Sequence, residues 1–211
     1  MKSSEAAPAS RLSVYRTLLD AGIANGVAHW TASSQPPQGH EDASVATSFE
    51  AEVATMGVWC RVVERLVISN ALVESSRDAV VHAGFERLSR VAPVLERYRS
   101  IGKSARSLHV YGEPDAAVVG EGIGIVPFRG GPLASEWFLV VDSARFKAVL
   151  AAKDLDGFES GKPLRARRFS ALSCHHPKVV TAVRTALEAE RVRVLRNQDT
   201  PRSLGVRVEK I

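Results

Sequence analysis

The sequence predicts an α/β fold, with α+β as the alternative: a central mixed sheet of about four to six strands flanked by amphipathic helices, two long helices preceding it. Three observations carry this. The stretch 107–142, SLHVYGEPDAAVVGEGIGIVPFRGGPLASEWFLVVD, holds three strand-like runs separated by turn residues. Two long runs before it repeat apolar residues every three or four positions. A further helical pattern follows Pro177.

In chain order, residues 1–10 read as a disordered start. Residues 13–25 place Val14, Leu18, Leu19 and Ile23 at helical spacing, with Ser10 or Ser13 as cap and Gly26 as stop. Residues 31–44, TASSQPPQGHEDAS, read as a linker. The chain thus divides into a helix plus linker (1–45), a main domain (46–190) and a basic extension (191–211). A long helix is expected over 49–74, where Trp59, Val62, Val63, Leu66 and Val73 share a stripe. A second is expected over 78–101, carrying Val81, Phe85, Leu88, Leu95 and Tyr98, kinked or restarted at Pro93 and stopped at Gly102.

Strands follow at 108–111, 122–126 and 137–141. The last, Trp137-Phe138-Leu139-Val140-Val141, has no polar residue, as in a strand covered on both faces. Asp142 or Ser143 is placed to cap a short helix over 144–152, and 165–172 reads as a final strand. Pro177 suits the first position of a helix. Arg alternating with Val near 191–195 and 206–208 fits an edge strand or hairpin.

At 211 residues, 45% hydrophobic and a mean hydropathy of −0.04, the chain fits a soluble globular protein of one domain with tails, or two small ones. No apolar run is long enough for a membrane span or a signal peptide. Two distant cysteines, Cys60 and Cys174, suit a reducing cytoplasm. The net charge of +5 is uneven: residues 143–211 hold 15 Lys+Arg against 7 Asp+Glu. A basic third of this kind fits nucleic acid or another anionic partner. Its arginines are scattered among apolar residues, which also fits solvated surface.

No catalytic signature is present. Gly120, Gly122 and Gly124 alternate; in a strand they would leave one face bare for a planar ligand, and otherwise they mark a turn or a helix-packing site. With Glu136 and Trp137 they are the candidate ligand-binding residues, although the apolar settings of Trp59 and Trp137 also fit core. Arg165, Arg167 and Arg168 are the candidate anion or nucleic-acid contacts, Arg165 and Arg167 sharing one face if the segment is a strand. Cys174-His175-His176 is the one local cluster with metal-ligand chemistry, further ligands being sought at His29, His40 or Cys60; its alternative is a turn with a His capping a helix. Cys174 is also a candidate thiol nucleophile.

Several segments recur together in one known family. They are LVISNALVE (66–74, with Ser69 and Glu74), GFER (84–87), RYR (97–99), LHVYG (108–112) and GPLASEWFLVV (131–141). The last is close to a Pro-Leu-x-x-Glu-Trp strand entry, and Arg167-Arg168-Phe169 before the Pro177 helix matches an ending. On these residues the body, about 56–188, resembles the DICT domain, a bacterial sensory domain of diguanylate cyclases and two-component proteins. The family continues its Arg-Phe with Glu-Gly, where this chain has Ser170-Ala171-Leu172-Ser173-Cys174-His175-His176.

The resemblance implies a non-enzymatic, cytoplasmic sensory or regulatory protein, a stand-alone member without an output module. It would bind a small ligand or a partner protein, with light or stress as candidate stimuli, and signal through a partner or a homodimer built on the two long helices. The ligand and any cofactor are unspecified. The alternative function is nucleic-acid binding through the basic C-terminal third.

Overall fold

The computed structural model describes residues 7–27, 31–32, 46–74, 77–118, 120–157 and 161–199. The expected disordered start, most of the linker and the alternation at 206–208 lie wholly or largely outside them. The elements are α1 (Val14–Ala24), β1 (Thr31–Ala32), β2 (Ala46–Glu52), α2 (Val53–Glu74), β3 (Val80–Arg87), a 3-10 helix (Leu88–Val94), α3 (Leu95–Ser104), β4 (Ser107–Glu113) and β5 (Gly124–Pro127). A 3-10 turn (Pro132–Ser135), β6 (Glu136–Asp142), β7 (Lys147–Asp154), a second turn (Leu164–Ala166), β8 (Arg168–Cys174) and α4 (Pro177–Asp199) complete them.

The strands form one mixed sheet in the order β1-β2-β8-β7-β6-β3-β4-β5. β3, β4 and β5 run parallel, as do β1 and β2; the other pairs are antiparallel. The class is as expected, but the sheet has eight strands: residues 31–32, read as linker, form β1, residues 46–52, where the long helix was expected to begin at 49, form β2, and two further segments are strands in place of expected helix. Residues 80–87 form β3 in the middle of the sheet, so only α2 is a long helix ahead of the central strands. Residues 147–154 form β7, between β6 and β8, where a helix was expected over 144–152. Both segments are buried on both faces, and central position overrides helix propensity. Residues 191–195 continue α4 instead of forming a hairpin. Val194 is buried while Val192 is exposed, and Glu188–Arg191 and Glu190–Arg193 pair at helical spacing.

Helices cover both faces. On one, Met56, Trp59 and Val63 of α2 and Tyr98 and Ile101 of α3 pack on Val81, Val110, Leu139, Leu150 and Ala171. On the other, Val14 and Leu18 of α1 and Val180, Val183 and Leu187 of α4 pack on Tyr111, Phe138, Val140, Val149 and Leu172. Each such side chain contributes about 1.5–3 kcal/mol by leaving water. The N-terminal helix therefore belongs to the sandwich.

Gly84 lies directly across from Phe138 in the β3–β6 register, and a Cβ there would overlap the Phe138 ring. Gly84→Ala is expected to cost about 1–3 kcal/mol in urea unfolding, by overpacking a ring that is 1% exposed. Gly57→Ala, in α2 with ordinary contact distance to Arg61, is the control and should be neutral or stabilising. Equal losses in the two variants would overturn this account.

Candidate functional site

The sequence GFER at 84–87 cannot stay regular. Register shifts between Gly84 and Arg87, and Glu86 takes φ +55°. The strand thus ends beneath the 3-10 helix and α3, with Phe85 beside Trp137 of β6, its register partner. Above these rings, α2, the 3-10 helix and α3 enclose a cleft of about 520 Å³. Phe85 meets Tyr98 edge-on with centroids 5.2 Å apart, and lies 6.5 Å from Trp137. Val53, Val58 and Val94 add apolar wall.

One charged pair interrupts this lining. Glu64 of α2, 2% exposed, meets Arg97 Nε of α3 at 2.5 Å, and the Tyr98 hydroxyl also bonds to it. Burial lifts the Glu64 carboxyl above its ordinary value, against the pull of Arg97. Burial, then the Glu64 charge, pushes the Tyr98 hydroxyl and the Cys60 thiol up as well, so Cys60 is an unreactive thiol. An apolar, aromatic cleft with one polar end accepts a flat apolar ligand carrying a charged or hydrogen-bonding group.

Of the candidate ligand residues, Trp137 alone lines this cleft. Glu136 faces the opposite side of the sheet, where it accepts from Ser13 Oγ (2.5 Å), Val14 N (2.7 Å) and Tyr15 N (3.3 Å) at the start of α1. The glycines do not form a bare strand face. Ile123 N donates to Gly120 O at 3.2 Å, closing a turn. Gly122, at φ +76°, approaches α3 so closely that a Cβ would lie 3.1 Å from the Gly102 carbonyl oxygen. Only Gly124 is in a strand, across from His109.

The three arginines separate. Arg165 sits in a 3-10 turn, Arg168 is exposed near Glu50, and Arg167 is 2% exposed against Asp154 and Glu86. Arg165 and Arg167 therefore share no strand face. Cys174, His175 and His176 do not converge. Cys174 points into the α1/α4 core, while the His175 ring packs between Trp59 and Phe146 towards α2, with Nδ1 3.0 Å from the Lys147 carbonyl oxygen. Cys60 lies in the α2 core, and His29 and His40 lie outside the described residues. Burial also raises the Cys174 thiol, which disfavours a nucleophile.

Sequence reasoning passed over Glu64, Arg97 and a second polar group on the other face, His82, His109 and Glu188. Each had a signal. Glu64 interrupts the buried stripe Cys60, Val63, Val67, and a histidine sits within each apolar run of β3 and β4. Burial, then the His82 and Arg191 charges, lowers His109 to about 4. A hydrogen bond from His82, with help from Arg191, lowers Glu188 to about 2.

Fold and cleft together define a three-layer α/β/α module with an aromatic pocket between its helices. The sequence pattern of DICT, the sensory domain in diguanylate cyclases and two-component system, matches residues 37–155, and since this is more than half of the chain, the protein belongs to that family. The match includes every cleft residue and ends before β8 and α4, so the Arg167-Arg168-Phe169 likeness falls outside it. No curated protein and no solved structure matches the chain significantly. Among the described residues no helix is long and apolar enough to cross a membrane.

Proposed function

We propose that this protein is a non-enzymatic cytoplasmic sensor that binds a small, flat, largely apolar ligand in the cleft between α2 and α3. The observation that carries this is the cleft itself: three aromatic rings and a buried carboxylate paired with a half-buried arginine, all within the family segment. The Glu64–Arg97 pair joins the two helices, so a ligand whose polar group competes for Arg97 favours a different α2–α3 arrangement. Only such differential binding shifts a two-state module. Output passes through α2, whose Val58 and Val62 are 50% and 57% exposed beside a groove lined by Trp59, Phe146 and His175. On that line rests the reading of a partner protein or a homodimer.

Native mass spectrometry and an absorption spectrum of the freshly purified protein test this. A bound mass is expected, lost in Trp137→Ala while the fold is retained. Absorbance beyond the tryptophan band would mark the ligand as a chromophore, which light sensing requires. A clean apo mass, with tryptophan fluorescence unmoved by a panel of flat aromatic acids, overturns the cleft. The nucleic-acid alternative rests on the composition of the basic third alone. Among the described residues of the basic third, Arg167, Arg184, Arg191 and Arg193 are paired with carboxylates.

A further inference from the structure

On the sheet face opposite the cleft, His82, His109 and Gly124 stand in one row across β3, β4 and β5, beneath α4. His82 is fully buried. Its Nδ1 lies 3.0 Å from the Tyr111 hydroxyl, which donates its proton to the Leu187 carbonyl at 3.2 Å. A hydroxyl has one proton to give. With that proton committed to Leu187, the Tyr111 oxygen accepts, and His82 Nδ1 is the donor. The remaining nitrogen, Nε2, faces Glu188 Oε1 at 3.3 Å. A carboxylate facing this nitrogen calls for a cation between them, a proton on Nε2 or a metal ion in its place.

A third donor adjoins. The His109 ring stacks on His82 with centroids 5.3 Å apart. Its Cδ2 lies against Gly124, where a Cβ would come within 2.8 Å, so only a glycine admits the ring in this position. Its buried Nδ1 has no hydrogen-bond partner among the described residues. One ligand atom each from His82, His109 and Glu188 lies within 4.8 Å of the others.

We propose that His82, His109 and Glu188 bind a divalent transition-metal ion. Two imidazoles and a carboxylate, with water in the fourth position, suit zinc best. The surroundings are those a ligating histidine requires: the other ring N–H of His82 is held by an oxygen, and Arg191 holds Glu188 at 2.8 Å. Ligands about 2.0–2.1 Å from a tetrahedral ion stand about 3.3 Å apart, the separation already present between His82 and Glu188. Rotation of the His109 ring closes the third side. The ion would join β3 and β4, inside the family match, to α4 beyond it. This proposal does not rest on the cleft.

The test is titration of the chelator-treated full chain with Zn²⁺ by calorimetry and with Co²⁺ by visible absorption. One ion per chain is expected, with the d–d bands of four-coordinate cobalt and a raised thermal midpoint. His109→Asn and Glu188→Gln should each weaken binding at least about tenfold while keeping the far-UV spectrum. Replacing the fully buried His82 endangers the fold, so the other two variants decide the outcome. Cys174→Ser, His176→Ala and Trp137→Ala should bind as the parent does. Absence of binding to the parent chain, or binding that survives both His109→Asn and Glu188→Gln, overturns the site.

Discussion

Replacing Arg167 by Ala should cost about 3–5 kcal/mol, the largest single loss expected in this protein. The guanidinium is 2% exposed and pairs with Asp154, with Glu86 Oε2 3.9 Å away. Both acids are buried, Glu86 at 1% exposure and Asp154 at 7%. Asp154 Oδ1 also accepts from the Asp156 and Gly157 amides at 3.0 Å each, and Arg90 meets Glu86 from the 3-10 helix. Glu86 enters this cluster only through its positive φ, at about 1–2 kcal/mol of backbone strain. Without Arg167 the remaining cation, Arg90, faces Glu86, and Asp154 is left buried with amide donors alone. A drop of roughly 6–20 °C in thermal midpoint should follow. Arg168→Ala, removing an exposed side chain 3.7 Å from Glu50, should change stability by under about 0.5 kcal/mol. Adding Asp154→Asn to Arg167→Met should recover much of the loss, because Glu86 keeps Arg90 and no buried carboxylate then lacks a cation. If Arg167→Ala and Arg168→Ala prove equally mild, the cluster contributes nothing.

These neighbouring arginines show where the sequence was legible and where it was not. Composition placed Arg165, Arg167 and Arg168 together on a basic surface, but burial distinguishes them, and burial depends on partners in β3 and β7. The run 137–141 was readable because unbroken apolarity admits only a strand covered on both sides. The same physics misled at 80–87. With both faces filled, Val81, Phe85 and Leu88 fall at helical spacing by coincidence, and His82, Gly84 and Glu86 pass for a polar helix face. At β7, alanines good in either state left no period to choose by. Trp137 was singled out beside Glu136 in the Pro-Leu-x-x-Glu-Trp segment, and it lies on the cleft wall. Glu64 and Arg97 were not singled out, since two charges on different helices become a pair only when α2 and α3 are placed. His82 and His109 likewise meet only through the parallel β3–β4 register.

The Glu-Trp motif itself divides between two jobs, because successive strand residues face opposite sides. Trp137 lines the cleft; Glu136 anchors α1. Glu136→Ala should cost about 2–4 kcal/mol, since it strips the acceptor from the Ser13 hydroxyl and the buried Val14 amide. Glu136→Gln keeps one acceptor oxygen and should cost about 1 kcal/mol. Burial raises the Glu136 carboxyl above its ordinary 4.5, against the pull of these donors. The native state therefore holds this proton to higher pH than the unfolded chain does. Its contribution is full below about 4.5 and is lost as pH rises through the raised value, and Glu136→Gln should lack that part of the slope. Hydrogen exchange locates the loss. In Glu136→Ala the α1 amides should exchange faster while those of α2 and α3 keep their protection, and in Trp137→Ala α1 should be untouched. Unchanged protection of α1 in Glu136→Ala would mean that apolar contacts with α4 and the sheet alone hold the helix, and that the motif's glutamate is kept for some other task.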